Sequence, residues 1–210
     1  FDTRITGTEP VSVLEVSSIP PLNLEQRLSY LLDYPHGCAE QITSQAFPQL
    51  ALSWLLALSP EQQITAENNV REVINRLRSY QTPEGGFAYW PGESYISEWA
   101  TSYAVNFLAN AQKQGYAVPI QMLQHATNYM RQVANSWNRT EPWSQQDQAY
   151  RLYVLALAGK PDLAAMNRLK ETRLQRPVSQ WLLASAYALS NQQEIATKMI
   201  RDLSFEVTPY

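Results

Sequence analysis

From Leu22 onward, apolar residues recur three and four positions apart, and no Asn-Gly or Asp-Gly dipeptide interrupts them. Positions with that spacing share one helix surface, so the pattern confines most of the chain to helices packed through one face. The spacing predicts helices near residues 22–33, 39–58, 61–80, 95–113, 119–136, 143–158, 161–174, 178–190 and 192–203. Ser59-Pro60-Glu61 reads as a cap with proline in the first turn, and Gly115 with Pro119 brackets another break. Gly159-Lys160-Pro161 marks a third break, and Pro48 is placed to kink or restart the second helix. Residues 1–21 differ: Thr6, Thr8, Val11, Val13 and Val16 form an extended, β-prone tract closed by Pro20-Pro21.

Composition narrows the class. Hydrophobic residues make up 45% and charged residues 17%, which marks a chain able to build a core. Net charge is −3 with both signs interspersed, and no Lys/Arg stripe alternates with aromatics, so nucleic acid is not an expected partner. No apolar run reaches the ~18 residues of a membrane span, and no membrane contact is expected of this segment. The chain opens on Phe1 without a signal peptide, which reads as an excised segment with any targeting sequence upstream. A single cysteine excludes an internal disulfide.

That cysteine lies in Tyr34-Pro35-His36-Gly37-Cys38-Ala39-Glu40-Gln41. Residues i and i+3 meet on one helix face, which brings a thiol and a side-chain amide together at Cys38 and Gln41. Gly37 permits a tight turn into the helix. Helix N-termini favour anions, thiolates included, and their free N–H groups can polarise a carbonyl. Attack of the Cys38 sulfur on the Gln41 carbonyl, with loss of ammonia, would store an acyl group as an internal thioester. The bland reading is an inert cysteine at a helix start.

The motif resembles the thioester signature of the α2-macroglobulin and complement superfamily, usually Gly-Cys-Gly-Glu-Gln, and Ala39 in place of the middle glycine resembles its bacterial branch. Two further segments resemble the same superfamily. Gln81-Thr82-Pro83-Glu84-Gly85-Gly86-Phe87-Ala88-Tyr89-Trp90 is similar to the glycine loops of α/α-toroid proteins, with the glycines making the turn and Phe87 and Trp90 stapling it. Ser97-Glu98-Trp99-Ala100-Thr101-Ser102-Tyr103 is similar to a helix start found there. Tyr103, Tyr150 and Tyr187 sit in a weak repeat 47 and 37 residues apart, too irregular for a solenoid period.

The resemblance implies an all-α fold: an α/α toroid of helical hairpins, incomplete at its C-terminal end, with a short extended or β N-terminal lead-in. Residues 1–21 would end a preceding β-rich domain, and 22–210 would be the thioester domain. It implies a single-turnover acyl-transfer trap, an endopeptidase inhibitor rather than an enzyme, with no cofactor and no metal. Its partners would be target proteases, captured through lysine amines, and other domains of a parent chain in the periplasm or at the cell surface. Members that acylate hydroxyls use a downstream histidine. The corresponding stretch here, 139–147, has none, which favours amines. Isolated from the rest of such a parent, Cys38 would be found free or the bond hydrolysed.

Around the bond, Tyr34, His36, Gly37, Glu40 and Trp90 form the expected environment. His36 either tunes Cys38 or packs. Glu40 either bonds near the thioester or serves the helix as a first-turn acid. Tyr34, Trp54, Trp90 and Trp99 are candidates to keep water away, with core packing the competing reading for Trp54 and Trp99. His125 reads as structural. Two other classes stay open. One is a toroid scaffold or binding domain with an unreactive Cys–Gln pair. The other is a toroid enzyme: a cyclase lacks its Asp-rich cluster here, while the paired carboxylates of a glycosidase cannot be excluded.

Overall fold

A computed structural model describes residues 37–138, 142–201 and 203. The expected extended tract at 1–21 and the helix at 22–33 lie outside the described residues. Within them the fold is all-α. The helices are α1 (Ala39–Ala46), α2 (Leu52–Leu55), α3 (Pro60–Arg76), α4 (Glu98–Lys113), α5 (Ile120–Ser136), α6 (Pro142–Leu157), α7 (Leu163–Glu171), α8 (Pro177–Leu189) and α9 (Gln193–Ile200). Two 3-10 segments, Pro48–Leu50 and Leu77–Tyr80, join α1 to α2 and extend α3. Among the described residues there are no strands, only isolated bridges between Gln81 and Phe87 and between Ala88 and Ile96.

Local chemistry explains the boundaries. Pro48 cannot donate a backbone hydrogen bond, so α1 stops at Ala46 and the chain restarts as a 3-10 turn. The single helix expected over 39–58 is therefore three short pieces, and it ends where Leu56 turns extended at φ −138° and ψ 147°. Ser59 caps α3 as expected: Ser59 Oγ accepts from Gln62 N at 3.2 Å, and Gln62 Oε1 accepts from Ser59 N at 2.9 Å. Helices α4, α6 and α8 end in Schellman closures around Gly115, Gly159 and Asn191, each at positive φ. Helix α4 starts at Glu98, later than the predicted 95, because the Ile96 bridge holds the preceding residues extended and Ser97 supplies the cap.

Contacts build two layers. Helices α1, α4, α6 and α8 form a row of neighbours, and α3, α5, α7 and α9 back it. This is the helical-hairpin layering of the expected α/α arrangement. One continuous core runs through the row, with Ile42, Phe107, Leu108, Leu152, Leu155, Leu183 and Tyr187 buried. A small satellite cluster of Leu52 and Ala66 lies beside it. No described helix is long and apolar enough to cross a membrane.

The core does not contain every aromatic expected there. Trp54 is 75% exposed and Trp99 is 45% exposed, so the core reading fails for both. Trp99 lies on the surface of α4, stacked on Tyr103 at 5.9 Å and against Tyr150 at 5.3 Å. Aromatic residues satisfy the helical period equally well on a buried stripe or at its wet edge, so the sequence does not separate the two.

Candidate functional site

Cys38 is the N-cap of α1, with an extended backbone at φ −71° and ψ 170°. Its backbone N–H donates to Oε1 of the Gln41 side chain at 3.0 Å. In the reverse direction the Cys38 side chain faces the Gln41 backbone N–H, in the place a capping serine hydroxyl takes. Sulfur is a weak acceptor, so that contact is looser than a hydroxyl's. The spacing argument thus gains a mechanism. A capping box folds the glutamine amide back onto the residue that carries the thiol.

Gly37 makes this possible by what it lacks. Its φ is +117°, and a Cβ there would stand 2.1 Å from Gln41 Oε1 and 2.9 Å from Gln41 Cδ. The space beside the backbone is occupied by the Gln41 side-chain amide. Cys38 is half-buried and Gln41 exposed, with the Gln41 amide folded back against the Gly37–Cys38 backbone. Ala39 is buried at the first helical position, where alanine fits without strain. Glu40 is half-buried in the first turn, where an acid complements the helix dipole.

The motif is pinned by the loop that follows α3. The Ala39 N–H donates to the Tyr89 carbonyl at 2.9 Å. Tyr80 donates its hydroxyl to the Gly37 carbonyl at 2.7 Å. The loop is itself fixed on both sides. Gln81 Nε2 donates to the carbonyls of Gly85 at 2.8 Å and Met122 at 2.9 Å. Phe87 is fully buried, and its N–H donates to Thr101 Oγ1 at 2.8 Å. Gly85, at φ +101°, lies so close to α5 that a Cβ would stand 2.6 Å from the His125 carbonyl oxygen. A Cβ on Gly86 would meet Ile96 at 2.4 Å.

The expected staple is therefore half right. Phe87 anchors the loop, whereas Trp90 is 51% exposed and the second anchor is Gln81. Trp90 directly follows Tyr89, which brings it beside the motif along the chain. Tyr34 and His36 lie outside the described residues. The structure thus brings together Gly37, Cys38, Glu40 and Gln41, while Trp90 is tied to Glu93 in the loop beyond Tyr89. His125 is exposed and meets the loop through its carbonyl, in keeping with a structural role. Tyr80 and Tyr89 were not legible as site residues. Each acts across more than forty positions, and their only local signal is adjacency to the glycine loop.

A second polar cluster lies farther along α4 and α6. Arg151 is buried and bonds Glu98 Oε2 and Gln148 Oε1, each at 2.5 Å. Burial pushes the Asp147 carboxyl above its ordinary range, with Arg151 opposing and Glu98 reinforcing the shift. These charges border an open cavity of about 530 Å³ walled by Trp137 and Trp143.

A helical-hairpin array carrying a Cys–Gln pair on the first turn of a row helix, braced by a glycine loop, defines a domain of the thioester-bearing class. The chain matches the A-macroglobulin TED domain over residues 12–139, and it belongs to that family. It is 30% identical over 172 residues to α2-macroglobulin of Escherichia coli K12, covering 76% of this chain and 10% of that protein. It is 29% identical over 197 residues to α2-macroglobulin of Xylella fastidiosa Temecula1, covering 85% of this chain and 12% of that protein. The fold is similar to native E. coli α2-macroglobulin from domain MG7 to the C-terminus, with TM-score 0.73, 26% identity, and coverage of 87% and 31%. It is equally similar to Salmonella α2-macroglobulin reacted with methylamine, with TM-score 0.73, 27% identity, and coverage of 87% and 13%. The chain spans about a tenth of the length of the curated relatives it matches.

Proposed function

We propose that Cys38 and Gln41 form an internal thioester and that this domain is the covalent-capture element of a bacterial α2-macroglobulin-type protease inhibitor. The carrying observation is the 3.0 Å bond from Cys38 N to Gln41 Oε1, which holds the amide carbonyl against the cysteine and polarises it. In the forming step the Cys38 sulfur bonds to the Gln41 acyl carbon and the carbon–nitrogen bond breaks. The thiol proton leaves with the nitrogen as ammonia. In the capture step a lysine amine of a protease bonds to the same carbon, the carbon–sulfur bond breaks, and the amine proton restores the thiol. The result is one amide bond per molecule and no turnover. The helix N-terminus and the Gln41 N–H receive the departing sulfur as charge develops on it.

Three observations support this reading. The family match covers the Cys–Gln motif. A structural relative was solved after reaction with methylamine, an amine of the proposed nucleophile class. The stretch 139–147 holds no histidine to divert the acyl group to hydroxyls. The same proposal takes residues 22–210 as the thioester-bearing domain and 1–21 as its lead-in from a preceding domain, while the family match itself runs over 12–139. Partner domains of a longer chain and a periplasmic or surface setting belong to the same proposal.

Intact mass with and without methylamine, beside Cys38→Ala, tests it. The expected result is protein lighter by one ammonia, which methylamine converts to an amide with release of one alkylatable thiol. Cys38→Ala shows neither change. A mass equal to the unmodified sequence in the intact protein, with Cys38 freely alkylated before methylamine, would leave the domain a scaffold with an unreactive pair.

A further inference from the structure

Tyr80 closes the 3-10 segment Leu77–Tyr80 and is 3% exposed. A buried tyrosine hydroxyl needs a partner, and this one finds the Gly37 carbonyl at 2.7 Å, 43 residues away in sequence. That carbonyl and the Cys38 N–H belong to one peptide unit. The described chain has no cis peptide, so the two groups point in opposite directions from a single plane. On the far side of the plane the Cys38 N–H donates to Gln41 Oε1 at 3.0 Å. The phenol, the Gly37–Cys38 peptide and the Gln41 carbonyl therefore form one hydrogen-bonded line.

We infer that Tyr80 is a positioning residue for acyl transfer at Gln41, acting through the Gly37–Cys38 peptide; the inference rests on the thioester reading above. Two physical effects carry it. The first is orientation. Gly37 sits at φ +117° with no Cβ to restrain it, and rotation of that peptide would turn the Gly37 oxygen toward Gln41 Oε1 and the N–H away. The bond from Ala39 N to Tyr89 O fixes the next peptide unit and leaves this one free to rotate. Tyr80 holds it. The second effect is polarisation: a donor on the carbonyl end of an amide strengthens the N–H at the other end. The N–H that steadies the Gln41 oxygen as charge gathers on it is thus aimed and strengthened by a tyrosine that touches neither reacting atom.

The test uses the intact protein with isotope-labelled glutamine, comparing wild type, Tyr80→Phe and a variant with fluorinated tyrosine at position 80. Wild type must first lose ammonia and release a thiol to methylamine. If it does not, the thioester reading fails and Tyr80 is not at issue. Removing an oxyanion donor outright costs about 10²–10³ in rate, so loss of the residue that aims it is expected to slow methylamine about tenfold. Infrared spectroscopy should show the labelled thioester carbonyl at higher frequency in Tyr80→Phe, with the far-ultraviolet circular dichroism of wild type. Fluorination makes the phenol a stronger donor of similar shape, and it should move the band and the rate the opposite way. If Tyr80→Phe accumulates no thioester, the fluorinated variant decides. An unmoved band overturns the inference whether or not the rate falls, because packing alone would then account for Tyr80. A moved band with unchanged rate overturns it equally.

Discussion

Replacing Gly37 with alanine separates two costs that usually travel together. At φ +117° an alanine is strained by about 1–3 kcal/mol whatever surrounds it. Its Cβ would also stand 2.1 Å from Gln41 Oε1. Cβ contacts below about 3 Å are not tolerated, so the oxygen must retreat by roughly an ångström. Gln41 is exposed and flexible, so the retreat itself is cheap in stability. It breaks the bond to Cys38 N and moves the acyl carbon from the sulfur, where a 1 Å misplacement costs about 10²-fold in rate.

Two other glycines calibrate the result. Gly92, at φ +80°, has nothing within 4 Å of a built Cβ, so Gly92→Ala carries strain without collision. Gly85, at φ +101°, would drive its Cβ into the His125 backbone at 2.6 Å, which cannot swing aside. Urea denaturation should rank stability as Gly92→Ala above Gly37→Ala above Gly85→Ala. Ammonia loss and methylamine-released thiol should be near wild type in Gly92→Ala and reduced about a hundredfold in Gly37→Ala at temperatures where it is fully folded. A Gly37→Ala protein that forms the thioester as readily as Gly92→Ala would refute the reasoning. So would a loss of reactivity no larger than its unfolded fraction.

Other expectations concern the frame. Gln81→Ala strips the donor from two carbonyls at once and should cost about 1–3 kcal/mol in denaturant titration, with local hydrogen exchange rising across residues 81–88. Burial and neighbouring tyrosines push Tyr150 up to about 12, against the donor bond from Asn106. The unfolded phenol ionises first, so this stability is fully present below pH 10 and lost between pH 10 and about 12. The loss is about 3 kcal/mol, and Tyr150→Phe should flatten that limb of a pH–stability curve. Burial holds Asp147 above the ordinary carboxylate range while Arg151 opposes the shift. Arg151→Met should therefore raise Asp147 further in a carboxyl NMR titration. A raised carboxyl favours folding below its unfolded value and loses that advantage as pH rises through the folded one, so the variant should be weakest near neutrality.

The parts legible in the sequence were those whose cause is local. Pro48 breaks its helix by lacking an N–H, Ser59 caps the helix that Pro60 opens, and Gly115 and Gly159 close helices at positive φ. The Cys38–Gln41 approach was legible for the same reason, since a capping box spans one turn. What escaped is long-range. Gln81 finds the Met122 carbonyl and Tyr80 finds Gly37, each across more than forty residues. No spacing rule encodes such a contact. Trp54 and Trp90 escaped for another reason. Their residue type predicts large apolar area, and only the packing of neighbouring elements decides whether that area is covered.

The frame and the reacting group are held to different standards, and the difference bears on how such a site works. Among the described residues, the long-range bonds to residues 37–39 come from buried or doubly anchored groups: Tyr80 from the core, Tyr89 from a loop fixed to α4 by Thr101 and to α5 by Gln81. The sulfur and the N–H that aims at the acyl oxygen are therefore set by the core, which has one packing and little compliance. Gln41, at the other end of the same turn, is exposed and is held to that frame only through its amide oxygen on Cys38 N. A thioester formed as proposed would therefore react at a rate set by that alignment, which the packing around the Gly37–Cys38 peptide fixes.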